Sequence, residues 1–242
     1  MQNRNRNRLA DYIKASNDSH NAPPGAHHPE KDYFLFNSIQ IYIKNPLPDN
    51  VDLIEILQKI TEFIPENLLR EAGIEMILVG QFEELERREI QSLYMDDSIY
   101  VTNEQSSQED MMDDIVHEFA HALEDRYGLE LYSDDLIENE FLLKRRHLHD
   151  ILKSHGYKVD LNTFLDISYN EEFDMFLYRE IGYEKLVFLT MGLVVSPYGL
   201  TSIREYFATG FEEYFMPTGD RESLKQMSPT VYQKIEQIIM EK

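Results

Sequence analysis

The sequence contains no cysteine and no tryptophan, and its acidic residues far outnumber its basic ones. Without cysteine, disulfide frameworks and thiolate metal sites are excluded, so a metal ion would have to bind to His, Asp or Glu. The formal net charge of -22 repels phosphate backbones and anionic membrane surfaces, which argues against nucleic-acid and membrane partners. No hydrophobic run reaches the length of a membrane span, and the N-terminus lacks a signal-peptide core. We therefore expect a cytoplasmic protein, or a virion-associated one if it is phage-encoded.

The chain is long enough for one main domain with a sizeable core, since 42% of its 242 residues are hydrophobic. Residues 1–31 differ from the rest, because an Asn-Arg repeat and a stretch of turn formers leave little to bury. We predict a flexible N-terminal arm there, followed by a domain over 32–242. The basic tip of the arm, with Arg4, Arg6 and Arg8, is either a docking element for a protein assembly or a frayed terminus.

Hydrophobic periodicity predicts a small sheet followed by helices. Alternation over 39–43 and an apolar run over 74–80 are typical of strands, and two short runs around Asp96 and Asp97 indicate a hairpin. Helical patterns cover about 53–64, 106–127, 135–155, 170–195, 201–215 and 229–241. A small N-terminal mixed sheet that precedes a mainly helical C-terminal part defines an α+β fold.

The segment DDIVHEFAHALED contains a His-Glu-x-x-His motif. Ser106 and Glu109 resemble a capping box, and apolar residues follow at helical spacing, so the motif is predicted to lie on a helix with one buried side. His117 and His121 project from one face about one turn apart, so both imidazoles can reach one zinc ion. Glu118 can then take a proton from water. The alternative is a chance combination of residues in a glutamate-rich chain.

A catalytic zinc ion needs a third protein ligand, and the segment SPYGLTSIREYFATGFEEYF offers candidates. The metzincin pattern is excluded, because glutamate and tyrosine occupy the positions where it requires glycine and histidine. Glu205 and Glu212 lie seven residues apart, on one face of a predicted helix. Glu205 also has the spacing of a capping-box partner for Ser202, and spacing alone leaves both roles open.

These motifs together resemble a known family of proteases. HEFAH is followed by a tyrosine and, seven residues later, by a glutamate that opens an aromatic Glu-x-x-Ala helix. The chain thereby resembles the catalytic domain of anthrax toxin lethal factor and the Pro-Pro endopeptidases, which are zincin metallopeptidases of the gluzincin type. The resemblance implies that His117, His121 and Glu205 bind Zn2+, that Glu118 is the general base, and that Tyr198 stabilises the oxyanion. An ordinary packing role is the alternative for Tyr198.

Two departures from the family pattern affect this interpretation. The segment between the HEFAH motif and Glu205 is longer than the resemblance implies, and we interpret about 130–195 as a helical insertion. Thr209 stands where many members have a second glutamate, so carboxylate support for the metal ligands would come from Glu212 or Glu124.

The strand before the motif helix is the predicted substrate-binding element. By analogy with zincin folds it borders the cleft, and an extended peptide could pair with Ile99, Tyr100 and Val101 by β-augmentation.

We therefore predict a zinc-dependent endopeptidase that hydrolyses a protein or peptide substrate with metal-activated water. The alternative is a non-catalytic structural or assembly protein, such as a phage virion component, that retains a zincin domain. An acidic mimic of nucleic acid is a third class. It is disfavoured because the acids alternate with apolar positions, as on ordinary amphipathic helices.

Overall fold

A five-stranded mixed sheet occupies the N-terminal part of the computed structural model, which describes residues 33–35 and 39–240. The predicted arm, 1–31, lies outside the described residues. The strands are β1 (Tyr33–Leu35), β2 (Ile39–Ile43), β3 (Met76–Val79), β4 (Ser92–Met95) and β5 (Ser98–Val101). Their spatial order is β1-β2-β3-β5-β4. Strands β2, β3 and β5 run parallel, while β1 and β4 are antiparallel to their neighbours.

Helices make up most of the remaining described chain. They are α1 (Leu53–Phe63), α2 (Glu66–Glu71), α3 (Glu83–Arg88), α4 (Gln108–Tyr132), α5 (Leu136–Ser154), α6 (Leu161–Leu165), α7 (Glu171–Met175), α8 (Tyr183–Leu189), α9 (Ile203–Phe215), α10 (Arg221–Met227) and α11 (Pro229–Met240). A π-helical turn, Phe176–Ile181, follows α7, and a 3-10 turn, Pro197–Leu200, precedes α9. The α+β prediction is confirmed, whereas the interpretation of about 130–195 as an insertion stays a prediction. Across residues 33–35 and 39–240, no helix is long and apolar enough to cross a membrane.

The two faces of the sheet pack against different helices, as the alternation of side chains requires. Ile41, Ile77 and Ile99 are in register across β2, β3 and β5 and share a buried cluster with residues of α1 and α4. On the other face, Leu78 and Tyr100 pack in a smaller cluster with Leu85 of α3 and with its N-cap residue, Phe82. Burial of an aliphatic side chain such as that of Ile77 contributes roughly 1.5–3 kcal/mol, so the contacts within the larger cluster hold α4 firmly on the sheet.

The predicted hairpin is present, and its turn fixes the position of the next strand. Asp96 and Asp97 both have positive φ, 50° and 58°, which is the requirement of a two-residue type I′ turn. The turn pairs β4 with β5, while β3 pairs with the opposite side of β5. Strand β5 is therefore internal, and within the described residues the free edge of the sheet at this end belongs to β4.

Two helix predictions were wrong in detail. The motif helix begins at Gln108 with Ser107 as its N-cap, not Ser106, because the Ser107 hydroxyl accepts a hydrogen bond from the Asp110 N–H at 3.1 Å. The predicted continuous helix over 170–195 is broken at Gly182, which has a φ of 85° and ends the π-helical turn. A helical pattern of apolar residues continues across such a break, so periodicity alone did not locate it.

Candidate metal centre

Helices α4 and α9 bring three potential metal ligands together. His117 and His121 come from the buried middle of α4, and Glu205 comes from the first turn of α9. Ser202 is the N-cap of α9, and its hydroxyl accepts a hydrogen bond from the Glu205 backbone N–H at 3.2 Å. Capping therefore uses the backbone of Glu205, while its carboxylate is directed at the two histidines. Of the two roles that the spacing left open, the structure shows the capping contact of the Glu205 backbone, and the ligand role of the carboxylate stays a prediction.

The distances between the ligand atoms of this triad are close to those around a bound zinc ion. The His117 Nε2 atom lies 2.9 Å from Glu205 Oε2 and 3.1 Å from His121 Nε2, and His121 Nε2 lies 3.6 Å from Glu205 Oε1. One ligand atom from each residue can be chosen so that all lie within 4.8 Å of one another. A tetrahedral zinc ion with bonds of roughly 2.0–2.1 Å separates its ligand atoms by about 3.3 Å. The residues present therefore fit a zinc ion.

Each histidine also contacts a carboxylate through its other ring nitrogen, Nδ1. The Nδ1 atom of His117 contacts Glu212, and that of His121 lies 2.7 Å from Glu124 Oε2. A carboxylate at this position selects the tautomer that carries its proton on Nδ1, which leaves the Nε2 lone pair for a metal ion. Thr209 has a different contact, since its hydroxyl donates to the Glu205 carbonyl at 2.8 Å.

Glu124 lies inside a hydrogen-bonded network of its own. Its side chain is only 2% exposed, and it accepts hydrogen bonds from the Tyr132 hydroxyl and from Arg204 Nε, the latter at 3.1 Å. Neither Tyr132 nor Arg204 was identified from the sequence. Tyr132 lies on α4 two turns after Glu124, so helical spacing was an available signal, whereas Arg204 depends on the packing of α9 against α4.

The electrostatics of the centre favour a cation. Burial opposes the charged form of His117, but hydrogen bonds to Glu205 and Glu212 outweigh it and raise its pKa well above 6.5. Burial also opposes the charged form of His121, yet Glu124 and Glu205 raise its pKa to about 9. Because a metal ion has to displace these protons, its binding would release protons and strengthen with rising pH.

Glu118 faces the sheet rather than α9. Its side chain is buried, and each carboxylate oxygen has a partner on strand β4. Glu118 Oε1 accepts from the Ser92 hydroxyl at 2.7 Å, and Oε2 accepts from the Tyr94 backbone N–H at 2.5 Å. Sequence reasoning missed both partners, because they depend on how the hairpin packs against α4.

The predicted substrate-binding strand needs a correction. Ile99, Tyr100 and Val101 are buried, and β5 pairs with β3 on one side and with β4 on the other. An extended peptide therefore cannot add to β5 by backbone pairing. Among the described residues, the strand with a free edge beside the motif helix is β4, which carries both partners of Glu118.

Tyr198 lies in the 3-10 turn immediately before α9. The centre of its ring is 6.2 Å from that of His117. Burial and the negative charge of Glu205 raise the pKa of Tyr198 above its usual value of 10, so its hydroxyl stays protonated and can donate a hydrogen bond. The turn is held by Arg145, a fully buried residue of α5 that was not identified from the sequence. Its guanidinium donates to the Leu200 carbonyl at 2.6 Å and the Thr201 carbonyl at 3.3 Å.

A comparison with known protein families finds a match. The family described as "Anthrax toxin lethal factor, N- and C-terminal domain" matches residues 58–238, which is more than half of the chain. The protein belongs to this family. The matched region contains α4, the 3-10 turn and α9, and thus every residue of the candidate centre. No curated protein and no solved structure matches the chain. The relationship to lethal factor that the motifs indicated is thereby confirmed.

Proposed function

We propose that the protein is a zinc-dependent endopeptidase of the gluzincin type. The observation that carries the proposal is the convergence of His117, His121 and Glu205, with a carboxylate behind each imidazole. A zinc ion held by this triad would act as a Lewis acid toward a peptide carbonyl and would make water a nucleophile near neutral pH. Membership of the lethal factor family supports a protease-related role.

The other residues of the centre can move protons and stabilise charge. In the proposed reaction, a water oxygen bonds to the carbonyl carbon of the substrate while Glu118 takes the water proton. The carbon–nitrogen bond then breaks, and the proton passes to the leaving amine. Tyr198 donates a hydrogen bond to the carbonyl oxygen as this atom gains negative charge, which is worth about 2.7–4 kcal/mol for one such donor.

The proposed substrate is an extended peptide or protein segment. In the part of the chain that the structure describes, strand β4 has the free edge beside Glu118, so backbone pairing with β4 would bring a substrate carbonyl toward the candidate centre. The resemblance to the Pro-Pro endopeptidases rests on HEFAH, on the seven-residue spacing of Tyr198 and Glu205, and on the aromatic Glu-x-x-Ala helix that Glu205 opens. Peptides that contain a Pro-Pro bond therefore belong in the first substrate set.

Metal content is the first test of the proposal. Mass spectrometry of the purified protein should find about one zinc ion per chain, and Glu205→Ala should lose most of it because one of three protein ligands is removed. A matched control is Glu109→Gln, an exposed glutamate in the first turn of α4. Failure of the wild-type chain to bind zinc after refolding with the metal would overturn the proposal.

Hydrolysis is the second test. The zinc-loaded protein should cleave members of a quenched-fluorescence peptide set, and Glu118→Gln should abolish cleavage while it retains zinc, because an amide cannot take the water proton. Tyr198→Phe should lower kcat by roughly 10²–10³-fold, as expected for the loss of one oxyanion donor, with zinc content unchanged. Full activity in Glu118→Gln would contradict the mechanism.

A non-catalytic assembly protein is the second candidate, and the surface of the helical segment around α8 favours it. Phe188 and Met191 are 71% and 75% exposed, and Val187 is more than half exposed. Adjacent apolar side chains of this size on a surface are typical of protein contacts. This candidate predicts a zinc-loaded chain that cleaves no peptide and assembles through this surface, so that Phe188→Ser shifts its sedimentation coefficient.

A further inference from the structure

We propose that strand β4 holds Glu118 in a resting position, and that a peptide added to β4 releases it. Both oxygens of the Glu118 carboxylate are engaged by this strand, Oε1 by the Ser92 hydroxyl at 2.7 Å and Oε2 by the Tyr94 backbone N–H at 2.5 Å. Ser92 is then a positioning residue, and the Tyr94 N–H couples substrate binding to the base. The inference rests on the proposed peptidase function and deepens it.

The hydrogen-bonding pattern of the hairpin explains why the Tyr94 N–H points away from β5, at the edge of the sheet. The Thr102 N–H donates to the Gln91 carbonyl at 2.8 Å, and the register pairs Leu93 with Tyr100. In an antiparallel pair, every second residue directs its N–H and C=O at the partner strand, and the residues between direct theirs away. Gln91 and Leu93 therefore face β5, and the backbone groups of Ser92 and Tyr94 face outward.

An incoming peptide would compete with Glu118 for this N–H. Strand addition forms hydrogen bonds between the backbone carbonyls of the peptide and the outward N–H groups of the edge. The Tyr94 N–H is such a group, and Glu118 Oε2 occupies the place of a substrate carbonyl. A peptide that takes the N–H therefore frees Oε2, while Ser92 continues to hold Oε1 and to orient the carboxylate. The base becomes available only when a substrate lies beside it.

The functional test separates positioning from binding. Ser92→Ala removes the remaining anchor of the carboxylate, so kcat should fall about tenfold, a part of the 10²–10⁴-fold that general base catalysis supplies, with KM unchanged. Ser92→Thr keeps a hydroxyl and should restore kcat. The matched control is Ser98→Ala, a buried serine of the same hairpin whose hydroxyl donates to the Asp96 carbonyl at 3.3 Å. The positioning role of Ser92 is wrong if active Ser92→Ala protein retains the wild-type kcat.

A measurement that is independent of activity tests the resting contact itself. Amide hydrogen exchange of Tyr94, followed by NMR in the zinc-loaded full chain, should be slow in the wild type and at least about tenfold faster in Glu118→Ala, because an edge amide without an acceptor meets solvent. A peptide hydroxamate is the probe for the release step. In Glu118→Ala it should restore slow exchange at Tyr94, since the peptide carbonyl replaces the carboxylate. Equal exchange in wild type and Glu118→Ala overturns the resting contact, and no effect of the hydroxamate overturns the release.

The two proposals fail in distinguishable ways. A zinc-loaded wild-type chain that cleaves no peptide refutes the proposed function, and exchange at Tyr94 then still decides whether β4 holds Glu118. An active wild type in which Ser92→Ala and Ser98→Ala behave alike leaves the peptidase intact and refutes only the positioning role of Ser92.

Discussion

The Glu124→Gln substitution tests whether the carboxylate behind His121 sets the affinity for zinc. Glutamine has nearly the same volume as glutamate, so the packing of this buried side chain is preserved. Its amide can donate as well as accept, and it therefore no longer selects the imidazole tautomer that carries the proton on Nδ1. The 2.7 Å contact with His121 Nδ1 also loses its charge. We expect weaker zinc binding in a chain that still folds.

The expected magnitude follows from the geometry of this contact. Loss of a hydrogen-bonded partner behind a ligand typically costs 10–100-fold in metal affinity, which corresponds to about 1.4–2.7 kcal/mol. The effect on folding should be smaller, because the Arg204 side chain that also contacts Glu124 is 51% exposed and can remain hydrated. The affinity for zinc should therefore change more than the stability of the metal-free chain.

Competition with a chromophoric zinc chelator at fixed pH measures the affinity. Asp125→Asn is the matched control, because Asp125 is the next residue of α4, is 60% exposed, and contacts Arg204 Nη2 at 3.4 Å. It removes a charge from the same neighbourhood without a contact to a histidine. An unchanged affinity in Glu124→Gln, or an equal loss in Asp125→Asn, would refute the reasoning.

Three further predictions concern the stability of the chain. Arg145→Met should lower the free energy of unfolding in urea by about 3 kcal/mol or more, because the buried backbone carbonyls that it contacts lose their donor. Arg146→Met is the control and should have little effect, because Arg146 is exposed. In EDTA, the free energy of unfolding should fall by up to about 3 kcal/mol as the pH rises from 6.5 through 9. Folding raises the pKa of His121 to about 9, so the folded chain binds this proton more tightly than the unfolded chain does, and the stabilisation is lost as His121 deprotonates. Equal urea midpoints at the two ends of this pH range would contradict the prediction. Gly210→Ala should cost about 1–3 kcal/mol in thermal or urea unfolding, because its Cβ would lie 2.5 Å from a side-chain carbon of α11, whereas Gly128→Ala has open space and should be neutral or stabilising.

Local features of the fold could be predicted because neighbouring residues determine them. The hairpin at Asp96 and Asp97 is an example, since two residues that tolerate positive φ between apolar runs define its turn. The order of strands is a property of the whole sheet, and local periodicity does not contain it. The prediction of a peptide partner for Ile99–Val101 nevertheless conflicted with the predicted hairpin, because a hairpin already places a strand along one side of β5.

The candidate centre divides in the same way. The proximity of His117 and His121 follows from their spacing on one helix, and Glu124 lies one turn further along the same face. The approach of Glu205 requires α9 to pack on α4, which the spacing of residues could not establish and which the family resemblance supplied. Arg145 acts across a sequence separation of 55 residues through a backbone carbonyl, and such a contact has no signal in the sequence.

Helix α4 serves two sides of the proposed cleft because consecutive residues of an α-helix point about 100° apart. His117 faces Glu205 of α9, whereas Glu118, the next residue, faces the edge of β4. The proposed ligands and the proposed base thus contact different neighbours, a helix on one side and a strand on the other. A substrate that contacts both the proposed metal centre and Glu118 has to lie between β4 and the turn that carries Tyr198. Changes in the sheet should therefore alter the action of the base, whereas changes in α9 should alter metal binding.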